Sequence, residues 1–132
     1  MARLVLDTNI FISALGWGGR PGKVLKSCIS GRHELLLSLE LLEELASVLR
    51  HPKFDFIPVE KKVHLLKNLA IISEIVRPAI KLNVIPEDPA DNKVLECAVA
   101  GAADYIISGD AHLLDLKQYS KVRIISAEEF VI

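Results

Sequence analysis

Only two cysteines, Cys28 and Cys97, occur among the 132 residues, far apart and in no C-x-x-C spacing. A disulfide-rich scaffold is thereby excluded, and both are expected to be buried, reduced thiols. Nor is there an excess of either charge: 16 basic against 17 acidic residues leave a formal net charge of −1. Without a global basic field, a tight nucleic-acid binder held mainly by charge is excluded, although a local patch beside an acidic site is not. No apolar run approaches the ~20 residues of a membrane span. Met1-Ala2-Arg3 leads straight into an apolar strand without the charged and long apolar regions of a signal peptide. The expectation is a soluble, cytoplasmic protein. Internal repeats and low-complexity stretches are missing too, and 51% hydrophobic with 25% charged residues excludes a disordered chain. One domain over residues 1–132 is long enough to bury a core.

What is present is an alternation of short β-like runs and helical patterns. Leu4–Leu6 reads as the first strand, followed by a short helix from Asn9 to about Leu15 and the glycine-rich loop "GWGGRPG". A second helix runs from Pro21 to Ser30 and stops at Gly31, a C′ glycine. "HELLLS" is strand two, with Ser38 as N-cap of the helix "LELLEELASVLR", which Pro52 ends. In "PVEKKVHLLKNLAIISE" the residues Val59, Val63, Leu66 and Ala70 form one apolar face of an amphipathic helix. "EIVRP" is a strand, and "DPADNKVLECAVAGA" is a helix with Asp88 as N-cap and Pro89 at its first position. "DYIIS", a short helix at "AHLLDL" and the strand "VRIIS" complete the chain. Strands alternating with helices predict an α/β fold around a parallel sheet covered on both faces. In such sheets the functional crevice lies at the carboxyl ends of the strands.

Two apolar strands end in acids there: "LVLD" at Asp7 and "YIISGD" at Asp110. Asp91 stands in the first turn of the helix after "IPEDPAD". Of the three acids in "LELLEELASVL", Glu44 falls closest to the apolar face made by Leu41, Leu42, Leu45, Val48 and Leu49, whereas Glu40 and Glu43 point further into solvent. Asp7, Glu44, Asp91 and Asp110 converging on one sheet edge would repel one another unless a hard divalent cation, Mg²⁺ or Mn²⁺, sat among them. Such a cation suits phosphodiester hydrolysis. Asn9 and Ser108, beside the two strand-end acids, are placed to orient a carboxylate or a water. Each acid alone has a plainer reading: Asp7 and Asp110 as helix caps, Asp91 as a partner of a helix dipole, Glu44 as a surface acid. Asp88 fits an N-cap well and is assigned to that structural role.

At these residues the sequence resembles the PIN-domain nucleases, in particular the VapC-type toxins. The likeness lies in the apolar strand with Asp7-Thr8-Asn9, the helix pattern around Glu44, the run from Asp88 to Ala98, and "ADYIISGDAHLL". It implies a three-layer α/β/α fold, ribonuclease activity dependent on Mg²⁺ or Mn²⁺, and metal-site acids at Asp7, Glu44, Asp91 and Asp110. It also implies a homodimer and, for a toxin, a small antitoxin partner. The chain departs from many relatives in having His112 two residues after Asp110, where they carry an acid. His112 is read as a partly exposed helix residue, with a phosphate contact or proton donor as the alternative.

"GWGGRPGK" is not a phosphate-binding P-loop, because its glycine spacing differs and Val24 follows the lysine. As a loop near the active edge it offers Arg20, Lys23 and Lys26 to RNA phosphates and Trp17 to stack on a base. Equally, it is a solvated loop with Trp17 packed on a neighbouring helix or subunit. The expected function is a metal-dependent endoribonuclease, the toxin of a toxin–antitoxin pair. Housekeeping RNA processing by the same chemistry, or a non-catalytic interaction module, are the alternatives. A haloacid-dehalogenase-type phosphatase would have Asp-x-Asp after its strand, where this chain has Asn9.

Overall fold

Leu4, Val5 and Leu6 are buried because their strand, β1 (Arg3–Leu6), lies inside the sheet with a neighbour on each side. The computed structural model describes residues 1–132. Its remaining strands are β2 (Glu34–Ser38), β3 (Glu74–Val76), β4 (Tyr105–Ile107), β5 (Gln118–Tyr119) and β6 (Val122–Ile125). They form one six-stranded sheet in the order β3-β2-β1-β4-β6-β5, parallel except for β5. The helices are α1 (Thr8–Gly16), α2 (Gly19–Ile29), α3 (Leu39–Leu49), α4 (Val59–Ile72), α5 (Pro89–Ala100) and α6 (Ala111–Leu116). With right-handed crossovers, the path β1 to β2 to β3 lays α1–α4 on one face. The return to β4 and β6 lays α5 and α6 on the other. The expected α/β fold with a central, mostly parallel sheet and helices around it is the one observed.

Local chemistry explains the helix boundaries. The Ser38 hydroxyl accepts the Leu41 N–H, as an N-cap should. Gly31 ends α2 at φ 83°, a conformation that costs glycine nothing. Cys28 and Cys97 are free and buried, and burial pushes their thiols up to about 11 and about 12.

One strand has no counterpart in the sequence reading, and one expectation needs correction. The strand β5 is too short to show any alternation; it forms a tight antiparallel hairpin with β6, with Lys117 and Ser120 at positive φ. The helix α4 turns the other way. Val59, Val63 and Ala70 are exposed, while Leu65 and Leu69 are buried with Leu66 and Ile72 beside them. Two apolar stripes overlap on this helix, and burying the leucine stripe removes more apolar area from water.

At the amino edge of the sheet Arg3 joins three strands and a helix end. Its guanidinium donates to Glu34 at 2.5 Å, to Glu74 at 2.7 Å and to the Gly101 carbonyl at 2.7 Å. Gly101 closes α5 so tightly against the sheet that a Cβ there would lie 2.9 Å from both Leu36 Cδ1 and Val76 Cγ2. The branched Val76 has little freedom to withdraw. Gly101→Ala is therefore expected to lower unfolding free energy by about 1–3 kcal/mol. Urea denaturation checks this, and an unchanged midpoint would refute the close packing.

Candidate functional site

Residues Leu6 and Ile107 are paired across β1 and β4, so the residues that follow them meet at the carboxyl edge. These are Asp7 and Ser108. Asp7 is buried, and its Oδ2 accepts the Ser108 hydroxyl at 2.8 Å. It occupies the N-cap position of α1, yet its side chain makes no capping hydrogen bond. Burial pushes Asp7 up from 3.8 to about 6, and the charges of Asp110 and Glu44 add to this, against the pull of Ser108 and the Thr8 N–H. Ser108 is fully buried and also accepts the Asp110 backbone N–H at 2.9 Å. One hydroxyl thus serves both strand-end acids.

Asp110 caps α6, its Oδ1 accepting the backbone N–H of His112 at 2.8 Å and of Leu113 at 3.3 Å. Opposite stands Asp91, which α5 buries in its first turn. Burial first, then contact with Asp110, then the charges of Asp110, Asp88 and Asp7 push Asp91 up to about 8. Its Oδ2 is buried without any hydrogen-bond partner. Glu44 approaches from α3, half-buried, and its Oε2 accepts the Thr8 hydroxyl at 3.0 Å. Glu40 and Glu43 on the same helix are exposed, as their helical spacing expects.

The tightest grouping differs from the expected four. One ligand atom from each of Asp88, Asp91, Asp110 and His112 lies within 4.8 Å of the others. Asp7 and Glu44 stand outside this group but within electrostatic reach of it through Asp110 and Asp7. Asp88 sits at the N-cap of α5, but contrary to the capping assignment its side chain makes no capping bond. Its backbone carbonyl instead accepts the Asp91 N–H, at 3.1 Å, which leaves the carboxylate free. The available sequence signal was spacing: residues three apart share one helix face. His112 is exposed, with Nδ1 3.9 Å from Asp110 Oδ1.

Two further α5 side chains hold the loop that carries Asp88. The Asn92 Oδ1 accepts from Val84 N and Ile85 N, both at 2.9 Å, while its Nδ2 donates to the Ile85 carbonyl at 2.7 Å. One turn on, Glu96 accepts the Leu82 N–H at 2.8 Å. Sequence reading had no reason to separate these two from an ordinary helix surface.

The remaining candidates lie elsewhere. Asn9 is exposed and hydrogen-bonds to none of the acids. Trp17, 72% exposed, tilts against Phe56 at a centroid distance of 5.6 Å. Arg20 is committed to the C-terminal segment, donating to the Ala127 carbonyl at 3.0 Å and to the Phe130 carbonyl. Lys23 and Lys26 are exposed on α2 beside a shallow pocket between α1 and α2.

A set of carboxylates with one imidazole suits a hard divalent cation, and the unpartnered Asp91 oxygen has a lone pair to offer one. The raised acids set a sign for stability. The folded protein retains protons on Asp7 and Asp91 that the unfolded chain has released, so metal-free stability falls as pH rises from about 4 to about 8. In the presence of EDTA the protein is expected to melt higher at pH 6 than at pH 8. Asp91→Asn should stabilise it at pH 8 by about 1–3 kcal/mol. Scanning calorimetry checks both, and a higher melting temperature at pH 8 than at pH 6 would sink the argument.

The PIN domain family model matches residues 3–112. An uncharacterized protein of Methanocaldococcus jannaschii is 32% identical over 122 residues, covering 90% of this chain and 77% of that protein. Among solved structures, a chain of the VapBC2 complex from Rickettsia felis, bound to a DNA fragment from its promoter, has a similar backbone. It superimposes with a TM-score of 0.62 at 18% identity, covering 92% of this chain and 96% of that one. With four blocks of motif in order, the sheet topology and the matched residues in agreement, the chain belongs to the PIN-domain family.

Proposed function

We propose that this PIN domain is a divalent-metal-dependent endoribonuclease that hydrolyses RNA phosphodiester bonds. The observation that carries the reading is the Asp91 carboxylate oxygen, buried without a partner among other ligating groups. A protein that gained nothing from this cluster would have no reason to bury like charges together. Asp7, Glu44, Asp91 and Asp110 are the residues to hold Mg²⁺ or Mn²⁺, with Asp88 and His112 grouped beside Asp91 and Asp110. When bound, the cation supplies Lewis acidity toward a phosphoryl oxygen and a more acidic water. The chain's own contribution is positioning. Ser108 fixes the Asp7 carboxylate and the Asp110 backbone together, and Thr8 fixes Glu44. His112, exposed beside Asp110, is placed to meet a phosphate or to give a proton to a leaving oxygen.

The reading extends to the toxin of a toxin–antitoxin pair, acting as a homodimer and silenced by a small antitoxin. The antitoxin partner is supported by the backbone likeness to the VapBC2 chain. Housekeeping RNA processing would use the same chemistry without an antitoxin.

Incubation with a mixed panel of structured and unstructured RNAs tests the activity. Cutting is expected with Mn²⁺ or Mg²⁺, none with EDTA, and none by Asp7→Asn. Ser108→Ala should cut about 10- to 100-fold more slowly. Normal cutting by Asp7→Asn would overturn the assignment. For the toxin, growth arrest is expected on expression of the wild type but not of Asp7→Asn, with relief by a neighbouring small gene product. Unimpaired growth would favour RNA processing.

A further inference from the structure

Beside the acid site, α3 and α5 come together over a groove of about 700 Å³. One wall carries Glu40, Glu43 and Glu44, and the groove also holds two cations, Lys93 of α5 and Arg50 at the end of α3. Neither cation is paired: the protein's ion pairs are those of Arg3 with Glu34 and Glu74. Lys93 is half-buried and lines the same groove as three glutamates, yet it is bonded to none of them. Its ammonium is available to an anion that enters from outside.

Position connects this groove to the acids. Asp91 and Lys93 are two residues apart on α5, so they face different sides of the helix. Asp91 is turned into the buried cluster and Lys93 toward α3. Glu44 belongs to both places, bonded to Thr8 on the acid side and lining the groove on the other. From Glu44 to Arg50, α3 advances about 9 Å. The chain has no global positive field to draw in a polyanion, since its net charge is −1. Attraction of a nucleic-acid backbone therefore falls to local cations. Of the other cations named from the sequence, Arg20 is already bonded to the C-terminal segment, and Lys23 and Lys26 line an α1–α2 pocket that none of the four acids enters.

We propose that the α3–α5 groove is the path of single-stranded RNA beside the acid site, with Lys93 and Arg50 contacting its backbone phosphates. This rests on the nuclease reading and adds to it the residues that hold the substrate strand.

The test is fluorescence anisotropy of a short fluorescein-labelled single-stranded RNA, titrated across a salt series on the Asp7→Asn background so that the RNA stays intact. Lys93→Gln and Arg50→Gln are each expected to reduce the slope of log affinity against log salt by about 0.7, and the double variant by about 1.4. Lys93→Arg should keep the parent slope. Calorimetric Mn²⁺ affinity, measured on the otherwise wild-type chain, should be the same with and without Lys93→Gln. Unchanged slopes in both single variants would overturn the path while leaving the nuclease reading intact. A changed Mn²⁺ affinity in Lys93→Gln, tighter above all, would also overturn it, because Lys93 would then act by balancing Glu44. Failure of the Asp7→Asn parent to bind RNA at any salt would count against the nuclease reading itself.

Discussion

The pairing of β1 with β4, locked by the Ser108 hydroxyl, is the constraint on which the site depends. Parallel register brings Asp7 and Ser108 to the same level of the sheet, and the hydroxyl then serves one carboxylate and one backbone N–H at once. Removing a carboxylate from water costs several kcal/mol unless hydrogen bonds or an opposite charge replace the lost hydration. Asp7 receives that replacement only in part, which is why it stays proton-hungry. The stability given up locally is supplied by the apolar core beneath, where Leu4, Val5, Leu6, Ile106 and Ile107 are almost wholly buried.

The other half of the cluster arrives by a different route. Asp91 is delivered by a helix rather than a strand, and the loop before it would be free to drift were it not bonded to α5 itself. Asn92 and Glu96, one turn apart, satisfy backbone groups at Leu82, Val84 and Ile85. Buried polar side chains bonded to the backbone in this way fix one arrangement in preference to others. The site therefore has two rigid sides, one made by sheet register and one by a helix that holds its own approach loop.

Much of this was legible before the fold was known. Continuous apolar runs closed by Asp7 and Asp110 identify strand ends at a functional edge, and the border position of Glu44 follows from helical spacing alone. Asp88 was not legible as part of the cluster, because an acid before Pro89 looks the same whether its side chain caps a helix or not. The buried face of α4 was not legible either: two apolar stripes fit the same periodicity, and only the tertiary partner decides between them. Trp17 and Arg20 show the limit for loops. Composition marks them as available to RNA, yet the ring leans on Phe56 and the guanidinium is bonded to the chain's far end.

The sequence separation within the β1–β4 contact carries a consequence for biosynthesis. Asp7 and Ser108 are 101 residues apart. Closing so long a loop is among the later and slower steps of folding. During translation β1 must wait, its inner neighbour missing, until the segment after α5 has left the ribosome. An acid cluster that joins Asp7 to Asp91 and Asp110 is thus incomplete in every nascent fragment that stops before residue 110. However early Asp7 and its strand are made, the site they belong to cannot close until the segment carrying Ser108 and Asp110 has emerged.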